Sequence, residues 1–256
     1  DRERYLAEAN EAGERLERFP ESPDALFSRI AQLEICGEDE KAFRFMEQIP
    51  PARRRLAILA RWGNALYRRG RVQDAFEAYS GLKGANDYFE AMRLTALTEL
   101  LGEPERIKPE LDACYERFKG GVLELYSPSF YALAGLAEEA RLRGMRNFEN
   151  LPPRIASMRP LYKQMARFHA GLLDERGLIE ASAASQFDLC EAHTHVGIRR
   201  LVNGDRAGAR EHFRKAVRTG VYMYVEHQRA SVFLARMEQD SAWPRWLTHQ
   251  VSQTVP

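Results

Sequence analysis

At 256 residues the sequence is long enough for one large core or one continuous solenoid, and its 45% hydrophobic and 29% charged composition excludes intrinsic disorder. A formal net charge of +1 excludes a global field that would pull the chain onto nucleic acid or an acidic membrane, so such partners need a local patch. No run of about 18 apolar residues occurs, which argues against a membrane-spanning helix.

In chain order, apolar residues recur every three or four positions over 5–19, 23–36, 56–69, 72–82, 88–101, 130–143, 161–173, 189–202, 206–218 and 225–237. Each such stretch predicts a helix with one buried face. Strand signals, meaning alternation bounded by hairpin turns, are nearly absent. Short segments ending in glycine punctuate the helices: EICG at 34–37, YRRG at 67–70, ELLG at 99–102, RLRG at 141–144 and LVNG at 201–204. Glycine enters the left-handed conformation at low cost and lets a helix stop and reverse into a partner. Gly37 to Gly70 spans 33 residues and Gly70 to Gly102 spans 32, after which the intervals of 42 and 60 imply an inserted helical pair or a degenerate repeat. Small and large residues follow the first two turns at helical spacing, Ala42 with Met46 and Ala75 with Tyr79, as close helix packing requires. Pro152, Pro153 and Pro160 bracket a joint near 148–160, because proline removes a helical donor and restricts the residue before it.

The stretch WGNALYRRGRVQDAFEAYSGL (62–82) resembles a tetratricopeptide repeat through Gly63, Tyr67, Gly70, Ala75 and Tyr79. HVGIRRLVNGDRAGAREHFRKAV (195–217) resembles it through Gly197, Gly204, Ala209, Phe213 and Ala216. The C-terminal third, from ARFHAGLLDERGLIEA (166–181) to YVEH (224–227), looks like the end of bacterial tetratricopeptide lipoproteins of the new-lipoprotein-I type. The resemblance implies an all-α, TPR-like helix–turn–helix superhelix (an α-solenoid). Degenerate repeats are expected over 1–147, and a better-formed unit with a capping helix over 148–256. It further implies an adaptor or scaffold that binds a protein or peptide on its concave face. In that register Asn64, Tyr67 and Arg68 of one unit and Thr194, Ile198 and Leu201 of another line the wall. The amide of Asn64 would grip a peptide backbone, Arg68 a carboxylate, and the apolar trio Ile198, Leu201 and Val202 a partner helix. Core packing is the competing account for Tyr67 and the apolar trio, and a solvated helix face for Asn64.

Signatures of chemistry are weak. HExxH, CxxC, Walker-type, GxGxxG and GxSxG motifs are absent, so neither catalysis nor a cofactor is expected, and no small-molecule substrate. His193 and His195 are two apart and point to different helix faces, which argues against a metal. Glu226-His227 and Glu138-Glu139 read as ordinary helix positions rather than acid/base pairs. Clusters at Arg53–Arg55 with Arg61, and at Arg199-Arg200 with Arg206, Arg210 and Arg214, raise an RNA-binding solenoid as an alternative, but aromatics do not interleave them. A second alternative is a regulatory or substrate-recruiting domain of a larger enzyme, since the sequence opens at Asp1 without Met or a signal-like segment, as a trimmed chain would. Cys36, Cys114 and Cys190 lie in apolar or helical stretches and read as buried free thiols. A cytoplasmic location is expected, with a lipid-anchored periplasmic one as the alternative that the resemblance implies. The tail Trp243-Pro244-Arg245-Trp246-Leu247 is expected to cap an open solenoid end rather than to serve as a docking motif.

Overall fold

A computed structural model describes residues 22–247 except 83, 85 and 86, with only the backbone of 87–89, together with positions 3, 7, 10, 11, 14 and 18. The helix expected over 5–19 lies, apart from those isolated positions, outside the described residues. The chain is all-α, with fourteen α-helices and no strand among the described residues. They are α1 (Pro23–Ile35), α2 (Asp39–Gln48), α3 (Leu56–Arg68), α4 (Val72–Ser80), α5 (Asp87–Leu101), α6 (Pro104–Arg117), α7 (Val122–Leu133), α8 (Ala137–Glu149), α9 (Pro153–Met158), α10 (Pro160–His169), α11 (Glu175–Ser182), α12 (Gln186–Val202), α13 (Arg206–Arg218) and α14 (Val225–Gln239). None is long and apolar enough to cross a membrane.

Local chemistry sets the helix ends. Ser22, Asp174, Ser185 and Asp205 stand at N-caps, each side chain accepting from a backbone N–H three residues on. Six glycines of positive φ separate the two helices of successive pairs: Gly37, Gly70, Gly102, Gly135, Gly171 and Gly204. Their intervals are 33, 32, 33, 36 and 33 residues. The irregular spacing read from the sequence therefore disappears once the true turns are known.

Two expectations change here. The single helix expected over 130–143 is broken at Gly135, whose φ of 87° terminates α7 and starts the turn into α8. Gly144 is no turn. It lies buried inside α8, and a Cβ there would collide with the backbone carbonyl of His169, so glycine is what lets α8 approach the end of α10.

The two segments that carry the repeat signature share one packing device. A Cβ on Gly63 would stand 2.5 Å from the Tyr79 ring, and one on Gly197 would stand 2.6 Å from the Phe213 ring. In each pair a bare backbone on the first helix receives an aromatic ring from the second.

Neighbouring pairs build two hydrophobic clusters. One gathers α1 to α4 with α12 to α14, including Ile30, Leu66, Tyr79, Phe213 and Phe233. The other fills the middle of the chain, from Ala91 to Val196, and runs uninterrupted through the proline-framed α9. The first cluster exists because α14 returns to pack on α3. Arg236 of α14 and the Trp243 indole, at 2.8 Å, both donate to Glu99 at the end of α5, while the Trp246 indole donates to Leu133 O at 2.7 Å. Both indoles are buried, and the tail ties the end of α14 to α5 and α7. Cys114 and Cys190 are buried, whereas Cys36, at the C-cap of α1, is exposed.

Candidate functional site

The residues expected to face a partner meet the chain itself. Asn64 is fully buried; its amide donates to Gln228 Oε1 at 3.0 Å and its carbonyl accepts from the Tyr79 hydroxyl at 2.7 Å. Tyr67 is buried with the Arg236 guanidinium 5.7 Å above its ring. Thr194 is buried and bonds back to Cys190 O at 2.8 Å, the usual helical use of a threonine hydroxyl. Ile198 and Leu201 are core residues, Ile198 also bordering a groove of about 410 Å³ beside Ser129, Phe168 and His169. Arg68 alone reaches an open polar recess of about 160 Å³, where it pairs with Asp39 at 3.1 Å. The physical cause is α14, which lies where an open superhelix would leave space.

Sequence reasoning passed over a denser constellation. The starts of α7 and α14, with α10, enclose a cavity of about 220 Å³ walled by Tyr126, Phe130, Tyr162 and Tyr224 and by the side chains of Glu226 and Arg229. Tyr126 and Tyr162 meet edge to face at 6.3 Å. Arg229 lies over Phe130 at 4.8 Å and 3.9 Å from the Glu226 carboxylate.

Behind this wall Glu191 of α12 is wholly buried. Its carboxylate accepts from the Tyr126 hydroxyl, from the Tyr224 hydroxyl at 2.5 Å and from Arg159 at 2.8 Å. Arg159 also pairs with Asp188, donates to Tyr224 at 2.9 Å and lies 5.0 Å over the Tyr162 ring. Burial pushes the Glu191 carboxyl well above the usual carboxylate range, with Glu226 adding to it, while Tyr224 and Arg229 oppose. Burial likewise raises the Tyr224 phenol. The tyrosine rings are thus pinned by their hydroxyls, which leaves a preformed aromatic wall.

One layer deeper, Tyr126 stacks 4.6 Å from His195, whose Nδ1 is 2.9 Å from Ser129 Oγ. That is the spacing of a nucleophile and its base. Both side chains are nevertheless buried, and among the described residues Nε2 of His195 has no partner that would orient the ring. Burial holds the imidazole well below its ordinary range, with His169 and then Arg229 and Arg199 adding to that. His193 turns the other way, to His212 at 3.1 Å, and among the described residues no group of three His, Cys, Asp or Glu could hold a metal. Glu226 and His227 also part: Glu226 lines the cavity, and the His227 ring lies 3.1 Å from Val217 O.

The cavity side chains come from separate elements, and of them only Tyr224 and Glu226, both within YVEH (224–227), drew notice in the sequence. Scans against protein-family models and against curated proteins return no match to this chain.

Proposed function

We propose that the chain is a TPR-type helical-repeat adaptor that holds a segment of a protein partner at the aromatic cavity between α7, α10 and α14. One observation carries this reading. A wall of four aromatic rings, its three tyrosines pinned by their hydroxyls, opens beside Phe187, which is 48% exposed. Phe187 packs edge-on against Tyr224 at 5.4 Å, so an exposed apolar ring continues the cavity wall to the surface. Aromatic residues, methionine and arginine are the types enriched where proteins meet. The glycine turns recurring every 32–36 residues and the repeated lock of glycine against ring support the repeat reading. The partner side chain entering the cavity takes the place that a peptide on the α3 wall would have taken.

Site-specific photocrosslinking tests this. A photoreactive phenylalanine analogue at Phe187 should trap a discrete partner from cells, and the same probe at Leu142 on the outside of α8 should not. Tyr162→Ala should weaken that capture at least tenfold while the helical circular dichroism stays unchanged. Capture that is equal from both faces, or indifferent to Tyr162→Ala, refutes the assignment.

A further inference from the structure

A second cavity, of about 360 Å³, lies on the other side of the first turn of α7, between α7, α8 and α9. Its volume falls within the about 300–1,000 Å³ typical of small-molecule sites. Leu125 and Ile155, both buried, form its floor with Leu151 and Pro152. The proline-framed break places α9 here: Pro153 starts a six-residue helix, and Ile155 turns inward from it. The polar side of the lining carries Lys119 and Arg146.

The charges of this lining are uneven. Arg146 makes no ion pair among the described residues. Lys119 has only Glu116 at 3.8 Å, both side chains 70% or more exposed, a pairing worth little in water. Glu124 is the lining's acid, and its carboxylate is engaged by the Gly120 N–H at 2.6 Å, at the amino end of α7. Asn147 is held by bonds from its amide to Glu124 O at 2.5 Å and Ser127 Oγ at 3.3 Å, which tie α8 to α7 along one side of the cavity. An apolar floor under two cations with no firm acidic partner complements a molecule that is apolar at one end and anionic at the other.

We infer that this cavity binds a small apolar carboxylate, its hydrocarbon body against Leu125, Leu151 and Ile155 and its carboxylate between Arg146 and Lys119. This is a site apart from the partner cavity, and it departs from the expectation that the chain takes no small molecule. The head group is drawn by Coulomb attraction and a fork-shaped guanidinium, and the body by removal of apolar surface from water.

The test uses decanoate and the intact chain in isothermal titration calorimetry, with nitrogen-labelled protein to locate the site by amide shifts. Saturable one-to-one binding is expected, with shifts confined to residues 119–125 and 146–155. Decanol, which keeps the chain and lacks the charge, should bind at least tenfold more weakly, as should decanoate to Arg146→Glu. Leu151→Glu, at a half-buried position, should abolish binding while leaving the thermal midpoint within a few degrees. Vesicles of phosphatidylglycerol should not compete. Absence of saturation, equal affinity for decanol, binding unaffected by Arg146→Glu, shifts at the aromatic cavity instead, or retention on vesicles would each overturn the inference.

Discussion

The pair α3/α4 and the pair α12/α13 are two versions of one unit. Gly63, Gly70, Ala75 and Tyr79 of the first recur as Gly197, Gly204, Ala209 and Phe213 of the second, each 134 residues later. Both lock a ring against a bare helix backbone. In that register Asn64, Tyr67 and Arg68 correspond to Ile198, Leu201 and Val202. The first helix of one unit is polar where the other is apolar, yet Asn64 and Ile198 are equally buried, because Gln228 of α14 supplies the hydrogen bond that Asn64 needs. A shared lock thus dictates how two helices pair, and the neighbour across the way dictates what the unit's inner face is for. That is why the α3 wall is closed by the chain itself, whereas α12 stands behind an open cavity.

The strongest way to break the comparison is to fill the lock. Gly63→Val and Gly197→Val should each lose about 2–3 kcal/mol by overpacking against the facing ring, read as matching drops in the urea midpoint. A large loss at one position and none at the other would show that the two units are not held alike.

The polar difference is next in size. Asn64→Ala should lose about 1–3 kcal/mol, because Gln228 and Tyr79 each lose a buried hydrogen bond. Arg68→Ala, whose partner Asp39 is 55% exposed, should lose under about 1 kcal/mol. A stability-neutral Asn64→Ala would mean that α14 does not seal the α3 wall, and would return Asn64 to the role of partner contact that the sequence suggested.

A smaller, pH-dependent effect sharpens the contrast. The α3/α4 pair contains no histidine, whereas burial lowers His193 of α12 to about 4, His169 of the adjoining α10 to about 3, and His195 of α12 well below its ordinary range. The unfolded chain takes up these protons near the ordinary 6.5, so stability is complete above that value and drains as pH falls toward about 4. Glu191 acts with the opposite sign: held above its ordinary 4.5, it contributes most in acid and less as pH rises. Protection from hydrogen exchange, taken relative to the intrinsic rate at each pH, should therefore fall at pH 5 in α10 and α12 before α3 and α4, and a uniform fall would contradict the assignment.

How much of this was legible follows from range. Helix identity, the two locks and the turns at Gly37, Gly70, Gly102 and Gly204 rest on residues at most about sixteen apart, so periodicity reveals them. Gly144 imitated a turn because close backbone approach and a left-handed cap both select glycine, and only the neighbour, here the carbonyl of His169, tells them apart. Gly135 escaped because apolar residues continue through it on both sides, so the helical pattern has no visible break.

The amino-acid sequence by itself determined an all-α chain of paired helices with small-against-large contacts, since those depend on local propensity and spacing. The tertiary structure alone decided that α14 covers the α3 wall, that Trp243 and Trp246 tie α14 to α5 and α7, and that Glu191, Arg159 and Tyr224 converge behind one cavity. Such convergence depends on side chains from distant helices meeting in a low-dielectric interior where each polar group must find a partner, and no pattern along a single helix records which partner it will be.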